Sequence, residues 1–149
     1  MTPAEISQKV ILQRAVWIRG MIDALRELGL EEKAAFLSDR HRVAAAESYL
    51  RRSLEALFDI GRHILAKVFA IPAAEYKEIA KGLFEKNILE AKEAELMRKM
   101  AGYRNRMVHF YQEISPEELH EICLYHVDEI KLLADKLVQW TKKHENSVP

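Results

Sequence analysis

The sequence has few of the residues that build cross-links, tight turns or membrane spans. Its single cysteine, Cys123, excludes an internal disulfide framework and fits a reducing compartment. Five glycines and four prolines are few for a turn-rich sheet protein of this length. No apolar run approaches the roughly 20 residues that span a bilayer, and the first residues lack the basic and apolar segments of a signal peptide. We therefore expect a cytoplasmic protein that does not associate with a membrane.

The chain also lacks a net charge, since 23 basic residues balance 23 acidic ones. Such a balance argues against a protein that binds nucleic acid over its whole surface. Locally the charges separate. Residues 98–109 contain four Lys or Arg and no acid, whereas residues 113–129 contain six acids and no Lys or Arg. We interpret the basic block as a phosphate-facing patch, and the acidic block could equally be a solvated helix face.

Apolar residues recur at three- and four-residue steps along most of the chain, which predicts one all-α domain over residues 1–149. The expected architecture is an up-and-down bundle of about five helices. The side chain of His120 is expected at the surface of this bundle. The first predicted helix begins at a Thr2 capping box and runs to Gly29, and the second follows Ser38 or Asp39 for about thirty residues and stops before Pro72. The third covers residues 73–85, and the fourth runs from about residue 89 into a motif near residue 110. The fifth begins at Ser115-Pro116 and is followed by a frayed tail at about 140–149.

The most informative segment places Arg104, His109 and Tyr111 within eight residues. From the composition of the chain, about 0.015 chance matches to this spacing are expected, so the pattern is not readily accidental. Asn105 lies four residues before His109 and therefore shares its helix face. Arg104 points elsewhere on a regular helix, but its long side chain can reach round a helix end. Together these residues supply a permanent cation, an imidazole that titrates near neutral pH, and a phenol.

The residue types narrow the reaction class. The motif has neither a carboxylate cluster nor a nucleophilic Ser or Cys, and the only Glu-x-x-His pair joins Glu117 to His120, so we expect no metal and no cofactor. What fits is metal-independent RNA cleavage, in which a base deprotonates the 2′-OH and an arginine stabilises charge on the phosphoryl oxygens. One histidine does not conveniently serve as base and acid together. A symmetric dimer that joins two copies of the motif would supply the second.

At these residues the chain resembles the HEPN superfamily, and the tyrosine two residues after the histidine resembles the HepT toxins. Segments 55–63 and 100–109 carry the likeness, which covers most of the chain. The resemblance implies a homodimer with a composite ribonuclease site. Its catalytic residues would be Arg104 and His109, with Asn105 between them. It also implies that Tyr111 accepts AMP from an MntA-type minimal nucleotidyltransferase antitoxin, which would block the site.

Two further residues have possible supporting roles. Asp59 matches an acidic position on the family's second helix, and Arg106 is interpreted as a surface cation that could contact RNA. The leading hypothesis is thus the ribonuclease toxin of a type VII-like toxin–antitoxin pair. The main alternative is a non-catalytic HEPN module that binds a nucleotide or a nucleotidyltransferase partner, and a purely structural helical dimer is a third.

Overall fold

The computed structural model describes residues 7–109 and 113–144. In these two ranges the backbone forms seven α-helices and no strand, which confirms the all-α prediction. No helix in the described ranges is both long and apolar enough to cross a bilayer. The helices are α1 (Gln8–Arg26), α2 (Lys33–Ser38), α3 (Arg40–Phe69), α4 (Tyr76–Glu85), α5 (Ala91–Val108), α6 (Pro116–Tyr125) and α7 (Val127–Lys143).

Helix α3 is the centre of the bundle, since each of the other six helices contacts it. It begins where the Asp39 carboxylate accepts hydrogen bonds from the backbone N–H groups of His41 and Arg42. It ends at Ala70, whose left-handed backbone (φ 55°) lets its N–H bond to the Leu65 carbonyl. The predicted helix of about thirty residues, capped near Asp39 and stopping before Pro72, is confirmed.

The estimate of about five helices was too low, because two helix boundaries carry no strong local signal. Short α2 was not predicted, although it buries Phe36 completely. The predicted last helix is two helices separated at His126, whose φ of −119° and ψ of −6° interrupt the regular helix and whose Nδ1 contacts the Glu129 carboxylate. Leu119, Ile122, Val127 and Ile130 are buried on both sides of the break, so the apolar periodicity continues across it.

The first and last helices have other bounds than predicted. Helix α1 begins at Gln8, where the Ser7 hydroxyl accepts from the Val10 N–H, so it starts later than predicted; Thr2 lies outside the described residues. Helix α7 continues to Lys143, so the frayed tail predicted from about residue 140 does not begin there. The last turn of α7 is stabilised because Thr141 is fully buried and its hydroxyl donates to the Val138 carbonyl at 2.7 Å. Residues 145–149 lie outside the described residues.

His120 is buried, contrary to the expectation of a surface position. A ring nitrogen lies 2.5 Å from the Leu30 carbonyl oxygen, and the ring packs on Phe36 with centroids 5.3 Å apart. The imidazole thus satisfies a backbone carbonyl beside α2. This contact attaches α2 to α6, a tertiary role that no sequence pattern near His120 indicates.

Glycines permit the close approach of α3 and α4. A Cβ on Gly61 would lie 2.8 Å from the Ile79 side chain and 3.0 Å from that of Leu83. A Cβ on Gly82 would lie 2.9 Å from Leu65. Because α4 carries part of the candidate site described below, this packing fixes where that part lies.

Replacing Gly61 with alanine is expected to lower the free energy of unfolding by about 1–3 kcal/mol, because the new methyl group overpacks the α3–α4 contact. The matched control is Gly20→Ala on α1, where a Cβ meets nothing within 4 Å. The control is expected to raise stability by about 0.5–1 kcal/mol through better helix propensity. Urea unfolding followed by circular dichroism measures both. Equal effects of the two substitutions would contradict the close packing.

Candidate active site

The Arg104–His109 segment lies in the last turns of α5. This helix begins with a capping box formed by Glu90 and Glu93, and it ends at Val108. His109 is the C-terminal cap, and its backbone N–H donates to the Asn105 carbonyl at 3.1 Å. The predicted location of the motif at a helix end is confirmed. There the side chain of His109 is exposed to solvent.

An open cleft of about 550 Å³ brings three of the predicted site residues together. Arg104, Asn105 and His109 line it from α5, opposite Tyr76 and other residues at the beginning of α4. The far wall is completed by Arg62, Ala74, Glu75 and Lys77. Three of the side chains that line the cleft, Arg62, Lys77 and Arg104, are cationic, which suits a phosphate-bearing ligand.

Two side chains from other helices hold the Arg104 guanidinium. Its Nη2 donates to the Glu55 carboxylate of α3 at 3.2 Å, and its Cζ lies 4.5 Å from the centroid of the Tyr76 ring. Its Nε is buried and meets no acceptor among the described residues. The guanidinium is therefore oriented by an ion pair and a cation–π contact, and it remains on the wall of the cleft.

Tyr76 is the site residue that the sequence did not indicate. Its ring stacks on Phe58 of α3 with centroids 4.5 Å apart and an interplanar angle of 8°. Burial raises the pKa of the Tyr76 phenol, although the nearby Arg104 cation acts in the opposite direction. Tyr76 and Arg104 are 28 positions apart, so only the packing of α4 against α5 could reveal the contact.

Asp59 does not itself line the cleft, and its supporting role stays a prediction. Its carboxylate pairs with Arg14 at 3.6 Å and with Arg62 at 3.6 Å, and it lines a neighbouring cleft beside Trp17. Glu55, one helical turn earlier on α3, makes the contact with Arg104 instead. Residues four apart share a helix face, so Asp59 lies on the same face of α3 as Glu55 and reaches the cleft only through Arg62.

Arg106 is also outside the cleft, so its supporting role is not retained. Both of its terminal nitrogens donate to the Glu118 carboxylate, at 2.7 and 2.6 Å, and join α5 to α6. Hydrogen bonding to Arg106 lowers the pKa of Glu118, and the same contact raises that of Arg106. Arg98 pairs with Glu95 on its own helix. The basic block is therefore not one patch, and Arg104 is its only Lys or Arg that lines this cleft.

Two further expectations concern the AMP acceptor and metal binding. Tyr111, the expected AMP acceptor, lies outside the described residues, between His109 and Glu113. Within residues 7–109 and 113–144, no group of three or more His, Cys, Asp or Glu side chains is arranged to hold a metal ion. Cys123 is buried, and burial raises the pKa of its thiol to about 12.

Comparison with known proteins identifies the family. The model of the ribonuclease HepT-like family matches residues 18–137, which include α3, the motif and most of α7. The chain belongs to the ribonuclease HepT-like family. A curated protein of Archaeoglobus fulgidus that bears a provisional name as an RNase is 28% identical over 132 residues, covering 89% of this chain and 93% of that one.

Solved structures share the fold of this HepT-like chain. One is a tri-AMPylated HEPN toxin of Shewanella oneidensis in complex with an MNT antitoxin; it has a TM-score of 0.78, 21% identity, and coverage of 86% of this chain and 96% of that one. Another is a toxin–antitoxin complex with AMP-PNP, with a TM-score of 0.77, 21% identity, and coverage of 86% and 97%. At these identities the likeness shows a common architecture.

Proposed function

We propose that this HepT-like protein is the toxin of a toxin–antitoxin pair and acts as a metal-independent endoribonuclease in the cytoplasm. The observation that carries the proposal is the cleft in which Arg104, Asn105 and His109 lie together at the end of α5. This cleft is open to solvent and therefore accessible to a polyanion. Membership of the ribonuclease HepT-like family supports the choice of RNA.

In the proposed reaction, the His109 imidazole takes the proton of a ribose 2′-OH. The 2′-oxygen attacks the adjacent phosphorus, a 2′,3′-cyclic phosphate forms, and the 5′-oxygen leaves as it receives a proton. Arg104 stabilises the charge on the phosphoryl oxygens, and the Asn105 amide contributes a hydrogen bond on the same side of the helix. Glu55 occupies one edge of the guanidinium and so orients the remaining donors.

We further propose that the site is composite and that a second copy of the chain supplies the imidazole which protonates the leaving oxygen. Exposed apolar side chains support an association between copies. Val16 on α1 is 67% exposed, Tyr125 on α6 is 69% exposed, and Leu132 on α7 is 56% exposed. Such an association makes the specific activity fall when the protein is diluted below the dissociation constant of the dimer.

The function is tested with purified protein and a small structured RNA in excess EDTA. We expect cleavage that leaves cyclic phosphate and 5′-hydroxyl ends. Cleavage that requires added Mg²⁺ would contradict the proposed chemistry. No cleavage at any protein concentration would contradict the nuclease itself.

We also propose that an MntA-like nucleotidyltransferase antitoxin silences the protein by transferring AMP to Tyr111. The tyrosyl oxygen would attack the α-phosphorus of ATP and release pyrophosphate. Tyr111 follows His109 by two positions, so an attached nucleotide would bring its anionic phosphate beside the cationic cleft and exclude RNA. The AMPylated state of the Shewanella oneidensis HEPN toxin supports this mode of control.

Incubation of the protein with this antitoxin, ATP and Mg²⁺ is expected to raise its intact mass by one or more AMP units. Tyr111→Phe is expected to show no gain, because it lacks the acceptor hydroxyl. Tyr103→Phe, on α5, is the matched control and should be modified like the wild-type protein. AMP gain by the Tyr111→Phe protein would refute the acceptor assignment.

A non-catalytic binding module is the second candidate function. The contact that favours it is the ion pair of Arg104 with Glu55, which already neutralises the cation that would serve a reaction. This function predicts tight binding of the nucleotidyltransferase and harmless overexpression without it. Toxicity of expression that depends on His109 would exclude it.

A further inference from the structure

A second pocket, of about 460 Å³, lies at the other end of α4 from the candidate active site. It lies where the end of α3, the turn after α4 and the last turns of α7 meet. We call it the α4-end pocket. Two aromatic rings and four basic groups line it: Phe69, Trp140, Lys86, Lys136, Lys143 and His144.

The charge of the α4-end pocket is one-sided. Among the residues that the structure describes, three lysines and a histidine line it, and no Asp or Glu does. One of these lysines, Lys136, is paired with an acid outside the pocket, since its Nζ lies 3.8 Å from the Glu93 carboxylate. Lys86 and Lys143 are exposed, and Lys86 Nζ lies 5.4 Å above the Phe69 ring. The charges suit an anionic ligand with more than one phosphate.

The aromatic side chains favour a nucleic acid over a small inorganic anion. Trp140 stacks on His144 with centroids 4.3 Å apart and an interplanar angle of 15°. The Phe69 and Trp140 centroids are 6.0 Å apart. Both rings are half-buried and line the pocket. Bases stack on such rings while lysines contact the backbone, a combination typical of sites for single strands.

Helix α4 connects this pocket to the candidate active site. Its ten residues rise about 15 Å, with Tyr76 and Lys77 at the catalytic cleft and Lys86 directly after its last residue. Lys77, Lys81 and Phe84 are three or four positions apart and share one helix face. Phe84 is 46% exposed, and Lys81 is paired with Glu85 at 3.8 Å. Basic and aromatic side chains therefore extend along α4 between the two pockets.

We propose that the α4-end pocket binds single-stranded RNA that flanks the bond cut in the catalytic cleft. The inference rests on the proposed ribonuclease function and adds a second contact region for its substrate. This contact increases the affinity for long RNA and takes no part in the bond-breaking step. A strand too short to reach from one pocket to the other therefore gains nothing from it.

Binding is measured by fluorescence anisotropy with a labelled unstructured RNA of about 20 nucleotides, in full-length protein carrying His109→Ala so that no cleavage intervenes. Lys86→Gln/Lys143→Gln is expected to weaken binding about tenfold and to reduce the salt dependence of log K by about 1.4, or about 0.7 per lost phosphate contact. The matched control, Lys92→Gln/Lys131→Gln, removes two exposed lysines outside the pocket. Equal effects of the two pairs would overturn the proposal.

Trp140 reports the site directly. The chain has two tryptophans, so Trp17→Phe/His109→Ala leaves Trp140 as the only indole. RNA is expected to quench its fluorescence, and Lys86→Gln/Lys143→Gln should remove most of the quenching at the same RNA concentration. Unchanged Trp140 fluorescence at saturating RNA would overturn the assignment, as would lysine variants that weaken antitoxin binding and leave RNA binding intact.

Cleavage kinetics separate this inference from the nuclease proposal. With His109 intact, the lysine variant is expected to raise KM for the long RNA about tenfold with kcat unchanged, and to cut a substrate of about three nucleotides at the wild-type rate. Lysine-dependent RNA binding without any cleavage would support the pocket and contradict the nuclease. Cleavage of long RNA by the lysine variant with an unchanged KM would support the nuclease and contradict the pocket.

Discussion

Replacing His109 with alanine is expected to slow RNA cleavage by about two to four orders of magnitude, because the imidazole is the general base of the proposed reaction. His109 is exposed at the end of α5, so most of the effect should fall on the cleavage rate and not on the fold. Initial rates with the same RNA in EDTA, together with unfolding curves of both proteins, measure the effect. His109→Gln should be equally slow, since an amide hydrogen-bonds but does not accept the proton.

The matched control is His41→Ala, which removes another exposed histidine at the beginning of α3, away from the cleft. It should cleave RNA at the wild-type rate. If the His109→Ala protein cleaved RNA as fast as this control, the imidazole of His109 would not be the group that moves the proton. The cleft would then be a binding site, as in the second candidate function.

The second large effect is expected at Arg104, where alanine should lower the cleavage rate about 10²- to 10³-fold by removing charge stabilisation at the phosphoryl group. Arg104→Lys should recover little of this loss. An ammonium group keeps the charge but does not reproduce the planar donors that contact Glu55 and lie over Tyr76. Arg106→Ala, two residues later and tied to Glu118, is the control and should remain within about threefold of wild type.

Substitutions of the two residues that hold Arg104 test whether its orientation matters. Glu55→Gln keeps the shape and loses the ion pair, and we expect about a tenfold lower kcat with little change in KM. Tyr76→Phe keeps the ring beneath the guanidinium and should be close to wild type, whereas Tyr76→Leu should resemble Glu55→Gln. Loss of activity in Tyr76→Phe would instead assign a function to the phenol hydroxyl.

Features set by neighbouring residues were predictable. Asp39 caps α3 through its own carboxylate and Pro72 follows its end, so the boundaries of this helix could be predicted from sequence. The Ser115 cap of α6 was predictable for the same reason. The break at His126 was not, because the buried stripe continues through it and the interruption depends on packing. The partners of Arg104 escaped prediction because Glu55 is 49 positions away along the chain.

The sequence by itself determined the helical class, the motif at the end of α5 and the resemblance to the family. Tertiary structure decided which cations face the cleft. Arg104 and Arg106 are chemically identical and two residues apart, yet a helix turns about 200° over that step. One guanidinium therefore reaches Glu55 and Tyr76 on one side of α5, and the other reaches Glu118 on the other. Which side is the active one depends on the helices that pack there, and these come from distant parts of the chain.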